Sequence, residues 1–171
     1  MKGGGLVDNA IVLRLFSKQI TDTSFISSGW LLDGYPRNVQ QAVQVEEVLE
    51  RERQPLDAVI SLKVPFKVIE ERISGRWIHE KSGRTYNVHF NPPKVVGIDD
   101  QTGEALIQRE DDVPHVVKKR FETFLEKTQP LFDFYRKRKI FFEVDAPSSP
   151  EGYKHIKPLL QSLQQSKLSK L

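Results

Sequence analysis

Residues Trp30-Leu31-Leu32-Asp33-Gly34-Tyr35-Pro36-Arg37, with Gln41 shortly after, constrain this chain more than any other stretch. An apolar run ends in an acid, a glycine, a turn-forming proline and an arginine, and a helix-like segment follows. That is the pattern of a strand entering a loop at the carboxyl edge of an α/β sheet, where open sheets bind ligands. Asp33 suits a metal ion or the waters around one. Gly34 lets a ligand approach the backbone. Arg37 offers a planar fork to a phosphate or a carboxylate. A plain Asp-Gly and Pro turn accounts for the same residues, so this stretch alone leaves turn and ligand site both open.

The length of 171 residues suits one domain with an excursion. A formal charge of +3 gives no argument for a nucleic-acid partner. With no cysteine in the chain, neither a disulfide framework nor a thiolate metal site can form. No apolar run approaches membrane-spanning length. Met1-Lys2-Gly3-Gly4-Gly5 lacks the apolar core of a signal peptide and resembles the middle of a longer chain.

The apolar spacing predicts alternating elements. A helix is expected over residues 7–20 and a short buried strand over 30–33. Residues 38–53 read as a helix and Ala58 to Leu62 as a strand. Pro65 opens a helix that runs to about Gly75. From Arg76 to Asp112 the chain is rich in Gly, Pro and Asn. Short strand-like pieces lie at Arg76–His79, Arg84–Asn87 and Leu106–Arg109, which reads as a small β excursion. Asp112 is a candidate N-cap for a helix to about Gln129, which Pro130 interrupts. Ile140 to Val144 is the last strand, and Glu151 to about Gln165 the last helix.

Two of these helices carry arginines where apolar residues belong. Arg72 and Arg76 follow at helical spacing on the stripe of Val68, Ile69 and Ile73. Arg120 lies within the stripe of Val116, Val117, Phe121, Phe124 and Leu125. An arginine on an inward face needs an anionic partner or a route to water. One such arginine is explained by one buried carboxylate. Three of them, with Arg109 after the excursion and Arg37 after the first strand, favour a shared polyphosphate.

These segments together resemble the long-form adenylate kinases, and within them the mitochondrial GTP:AMP phosphotransferase branch. The resemblance covers roughly Gly4 to Ile156. It rests on Leu-Leu-Asp-Gly-Tyr-Pro-Arg-Asn (31–38) with Gln41, Glu-Arg-Ile-Ser-Gly-Arg-Trp-Ile-His (71–79) and Ser-Gly-Arg-Thr-Tyr-Asn (82–87). Phe-Asn-Pro-Pro-Lys (90–94), Asp-Asp-Gln-Thr-Gly-Glu (99–104), Arg-Glu-Asp-Asp (109–112) and Lys-Arg-Phe (119–121) follow in order.

The resemblance implies an α/β fold: an incomplete P-loop nucleoside-monophosphate-kinase fold, a parallel sheet flanked by helices with a small inserted β lid. Residues 1–75 and 113–171 would be the core, including the end of the AMP-binding arm, and 76–112 the lid. The implied reaction is reversible phosphoryl transfer from ATP or GTP to AMP, with Mg²⁺ carried by the nucleotide. Gly5, Leu6 and Val7 would line the AMP pocket, Gly34 and Arg37 its phosphate side, and Gln41 its adenine. Arg72 would lie against the donor base. Arg76, Arg109 and Arg120 would neutralise the transferring phosphate, and Asp33 would order the Mg²⁺ water shell through water. Thr85, Tyr86 and Ser148 would contact the donor nucleotide, although Ala146-Pro147-Ser148 departs from the family's usual Gly-Thr. Relatives that hold zinc in the lid do so with four cysteines. The matching positions here are His79, Ser82, Asp99 and Thr102, which read as a hydrogen-bonded cluster without zinc. His89, His115 and His155 read as surface or loop residues.

No Gly-x-x-x-x-Gly-Lys-[Ser/Thr] occurs in the chain, so the loop that cradles donor phosphates in the family is missing from it. The expectation is a truncated chain that is weak or inactive by itself. The alternative is a catalytically silent nucleotide-binding or partner-binding remnant. The weak net charge and the absence of aromatic-basic RNA motifs argue against an RNA-binding module. Trp77-Ile78-His79 resembles the branch that prefers GTP, whose location would be the mitochondrial matrix. AMP with ATP or GTP are the implied partners, with neither nucleic acid nor membrane, and the implied state is a monomer.

Overall fold

The computed structural model describes residues 8–22 and 29–168. It divides into two compact units. The larger comprises Leu6–Lys63 with Thr123–Leu171, and the smaller contains Val64–Glu122.

In the larger unit, helix α1 runs Asn9–Ile20. Asp8 caps it, accepting from the amides of Ala10 and Ile11 at 2.9 and 3.4 Å, which satisfies donors the first turn leaves open. Helix α2, Val39–Arg51, starts in the same way: Asn38 Oδ1 accepts from Gln41 N at 2.8 Å. Its buried residues, Gln41, Ala42, Val45, Val48 and Leu49, recur at one helical face. Val45, Val48 and Leu49 pack with Phe16 and Ile20 of α1 into one apolar cluster. Strand β1, Val59–Lys63, pairs in parallel with a strand 82 positions later, with Val59 opposite Phe141 and Lys63 opposite Asp145.

The expected strand at 30–33 does not form. Trp30 and Leu32 pack against the α1–α2 cluster while Leu31 between them is 84% exposed. The side chains therefore alternate as in a strand. A strand also needs a hydrogen-bonded neighbour, and among the described residues β1 pairs with no strand but that later one.

The smaller unit opens with α3, Phe66–Ser74. Gly75 ends it, and a Cβ there would meet Glu71 O and Val88 Cγ2 at 3.0 Å, so the close approach of residues 87–88 requires glycine. Strands β2, Arg76–Ile78, and β3, Thr85–Asn87, form an antiparallel hairpin. The third expected piece, Leu106–Arg109, is not a strand. It touches β2 through a single bridge, Ile78 to Ile107. Helix α4, Pro114–Thr123, closes the unit.

After α4 comes a π-helical turn, Phe124–Thr128, then α5, Pro130–Arg136. The break at Pro130 is the one its missing N–H dictates. The α-helical stripe expected to continue through Phe124 and Leu125 ends instead, and both are about two-fifths exposed, at 37% and 43%. Leu131 and Tyr135 of α5 are buried with Ala42 of α2. Strand β4, Phe141–Asp145, is the partner of β1, and helix α6, Ser149–Leu168, ends the described chain.

Candidate functional site

The smaller unit brings three of the predicted arginines around two neighbouring carboxylates. Arg76 grips Asp112 with both edges of its fork, Nε donating to Oδ2 at 2.8 Å and Nη2 to Oδ1 at 2.6 Å. The Asp112 bond raises the Arg76 pKa further above the ordinary arginine value. Arg109 Nε lies 3.3 Å from Asp111 Oδ1, and Arg120 Nη1 lies 3.7 Å from Asp111 Oδ2. Arg120 Nη1 is buried and makes no hydrogen bond. At 3.7 Å the Asp111 contact is an ion pair outside hydrogen-bonding range. An anion with several oxygens could satisfy that N–H and compete with Asp111 for both guanidinium groups.

Asp112 thus does a different job from the one expected of it. It precedes α4 without capping the helix, and its carboxylate, 1% exposed, belongs to Arg76. Asp111 was missed at the sequence level. Its signal was the Arg-Glu-Asp-Asp run itself, since adjacent acids beside several arginines invite pairing.

Arg72 lies near the end of α3, with its guanidinium 5.6 Å from the centre of the Phe90 ring, within cation–π range. Asn87 Nδ2 donates to the Arg72 carbonyl at 2.8 Å. Thr85 is exposed, and Tyr86 is buried with its hydroxyl donating to Asp99 Oδ1 at 2.9 Å.

His79, Ser82, Asp99 and Thr102 form a hydrogen-bonded cluster. His79 Nδ1 is 2.7 Å from Ser82 Oγ, and Thr102 Oγ1 donates to Asp99 Oδ2 at 2.8 Å. Two further residues complete it. Arg84 holds Asp99 in a fork, at 2.9 and 2.8 Å, and Glu104 Oε2 is 2.6 Å from His79 Nε2. Arg84 above all, with the Thr102 and Tyr86 bonds, holds the Asp99 carboxyl far below the usual carboxylate range. Lys81 and His79 lower Glu104 likewise. Arg84 and Glu104 stand inside motifs already singled out, but their reach across 15 and 25 residues is a tertiary fact.

The larger unit carries the remaining predicted residues that are described. Gly34 has a φ of +70°, and an added Cβ would lie 3.2 Å from Arg37 Nη2. Arg37 folds back over this turn, with Nε donating to Gly34 O at 2.6 Å. The Arg37 amide donates to Gln41 Oε1 at 2.6 Å, and Gln41 Nε2 donates to Asn9 Oδ1 at 2.7 Å. Gln41, 2% exposed, is therefore a buried and satisfied amide on α2. Asn9 and Thr128, whose hydroxyl reaches the Arg37 carbonyl, were not legible as partners in the sequence. Asp33 is exposed at the edge of the same turn. Ser148 precedes α6, and its Oγ accepts from Glu151 N at 3.3 Å. Gly5, Leu6 and Val7 lie outside the described residues. Among the described residues no group of three or more His, Asp or Glu side chains is gathered as a metal-ligand set.

The sequence model of the adenylate kinase family matches residues 1–140. An adenylate kinase of Yarrowia lipolytica is 41% identical over 151 residues, which is 88% of this chain and 60% of the relative. Adenylate kinase 4 of Oryza sativa subsp. japonica is 41% identical over 88% of this chain and 62% of its own length. Adenylate kinase 4 of Arabidopsis thaliana is 40% identical over 88% of this chain and 61% of its own length. The chain thus matches about three-fifths of the length of these curated relatives.

Proposed function

This chain belongs to the adenylate kinase family, and on that premise we propose that it serves reversible phosphoryl transfer from ATP or GTP to AMP. The observation that carries the reading is the gathering of Arg76, Arg109 and Arg120 around Asp111 and Asp112, with Arg120 Nη1 buried and unbonded. A transferring phosphoryl group spreads negative charge over its oxygens, so catalysis is mostly positioning and neutralisation. In this reading the phosphates draw Arg109 and Arg120 from Asp111, and Arg76, oriented by Asp112, offers nearby the N–H groups that the pair leaves over. Arg72 lies against the donor base. Thr85 and Tyr86 belong to the donor contact, and the excursion of residues 76–112 acts as a lid that excludes water.

On the acceptor side, Arg37 takes the AMP phosphate, Gly34 allows its approach, and Gln41 reads the adenine through the one amide N–H that its bonds to Asn9 and the Arg37 amide leave over. Mg²⁺ arrives on the donor nucleotide and supplies charge neutralisation there. Asp33, an exposed carboxylate, suits contact with the ion's water shell better than direct ligation. Trp77-Ile78-His79 supports GTP as donor and the mitochondrial matrix as location. The protein acts as a monomer.

Calorimetry with AMP, with each donor and with a bisubstrate dinucleotide tests the reading, and a folded sample giving no heat with any of them overturns it. A second reading is a catalytically silent nucleotide-binding or partner-binding chain. Fusing a family phosphate-loop segment ahead of residue 1 separates the two. Transfer appears in the first reading and stays absent in the second. The 171-residue chain alone is expected to turn over slowly or not at all in a coupled assay. Turnover matching a complete relative contradicts that expectation.

A further inference from the structure

The turn that follows α4 is not α-helical. Gln129 N donates to Phe124 O at 2.9 Å, five residues back, which is the bond that defines a π turn. Pro130 supplies the local cause. It has no N–H for the carbonyl of Glu126, and its ring would crowd that oxygen in a regular helix. Widening the turn removes the clash, and Pro130 then sits in the first turn of α5, where its lack of an N–H costs nothing. One extra residue in a turn swings the next side chains by roughly 100° about the axis.

Thr128, the last residue of that turn, profits from the swing. A threonine inside a helix usually bonds a carbonyl of its own preceding turn. Thr128 Oγ1 instead donates to the Arg37 carbonyl at 2.9 Å, across 91 residues of sequence. The Arg37 backbone is then held at both of its polar atoms: its amide donates to Gln41 Oε1 and its carbonyl accepts from Thr128. Gln41 is itself anchored to Asn9. The chain between Gly34 and Gln41 is thereby fixed from two sides, by α1 through Asn9 and by the π turn through Thr128.

We propose that Thr128 is a positioning residue for the acceptor phosphate. Its hydroxyl, presented by the π turn, fixes the Arg37 backbone and so aims the guanidinium at the phosphate of AMP. The proposal rests on the assignment of Arg37 to that phosphate made above. The hydroxyl touches no reacting atom, so its loss should weaken AMP binding and leave the affinity for the donor nucleotide as it is.

Calorimetric titration of AMP and of ATP into the 171-residue chain, its Thr128→Val variant and its Thr128→Ser variant tests this. The valine keeps the shape and loses the hydroxyl, and should bind AMP about five-fold more weakly, the worth of one ordinary hydrogen bond. Serine restores the hydroxyl and should restore the affinity. ATP affinity should be the same in all three. Thr128→Val binding AMP as well as the parent overturns the proposal, and so does a serine variant as weak as the valine one. A parent chain that binds no AMP overturns the acceptor assignment itself, a distinct result. Where Thr128→Val does not fold, amide hydrogen exchange of the parent decides. AMP should slow exchange in residues 124–130 together with 33–41, and slowing confined to 33–41 overturns the proposal.

Discussion

Arg76 and Asp112 fasten the two ends of the β excursion to each other. The pair spans 36 residues, and its two bonds measure 2.8 and 2.6 Å. Residue 76 begins the excursion and residue 112 ends it, so the fork closes the loop at its base. Bidentate geometry favours arginine over lysine here, because only the planar guanidinium can offer both donors at once. The same guanidinium is one of three proposed to face phosphate, so one side chain serves both the shape of the smaller unit and its charge.

Asp112→Asn should destabilise the protein by about 2 kcal/mol. Breaking one partner of a wholly buried pair costs about 3–5 kcal/mol, and Arg76, being 31% exposed, recovers part of that from water. Urea unfolding followed by circular dichroism measures the change. A shift below about 0.5 kcal/mol would show that the clasp contributes little.

Acid should loosen the smaller unit. Asp99 and Glu104 are both held below their ordinary values, chiefly by Arg84 and by Lys81. The unfolded chain therefore takes up protons at these sites first, near the ordinary values of about 3.9 and 4.3. Their stabilising contribution is complete above that range and fades as pH falls through it toward the depressed folded values. Thermal melts should drop between pH 5 and pH 3. Asp99→Asn should melt lower at pH 5 and show a flatter pH dependence; an equal slope in both proteins contradicts the assignment.

Tyr135→Phe should cost less than about 0.5 kcal/mol or raise stability. Tyr135 is 2% exposed and its hydroxyl makes no hydrogen bond. Burial pushes its pKa well above the ordinary tyrosine value. An unsatisfied buried hydroxyl carries a desolvation cost of about 1–3 kcal/mol, which phenylalanine removes while keeping the ring. Chemical denaturation compares the two proteins, and a loss above about 1.5 kcal/mol would mean that the hydroxyl has a partner.

Arg120→Ala, placed in the phosphate-loop fusion, should lower kcat about 100-fold, the scale of removing one fixed donor to a developing negative charge. AMP affinity should not move. Steady-state kinetics with varied AMP and donor separates the two effects. An unchanged kcat removes Arg120 from the transferring phosphate.

Much of the fold was legible because it is written locally. The apolar spacing of α2 from Ala42 to Leu49 follows from 3.6 residues per turn. Pro130 marks its own break. The strand expected at 30–33 failed for a reason no local pattern contains: Trp30 and Leu32 turn inward as a strand's would, but among the described residues no neighbouring edge pairs with the backbone. Asp112 looked like a cap because acids before helices often are, whereas a guanidinium 36 residues away bonds it more strongly.

The sequence by itself determined the chemical inventory of the site: which segments carry arginines, where Gly34 must turn, and which family these residues belong to. It misplaced Arg76, which stands on strand β2 and not on the helical stripe that ends at Ser74. Residue type and short-range spacing are enough for that. Tertiary structure alone decided the partners. It gave Arg76 to Asp112, set Arg109 and Arg120 beside Asp111, and swung Thr128 onto the Arg37 carbonyl. Hydrogen bonds and ion pairs act over a few ångströms of space, and distance along the chain says little about which groups folding will bring that close.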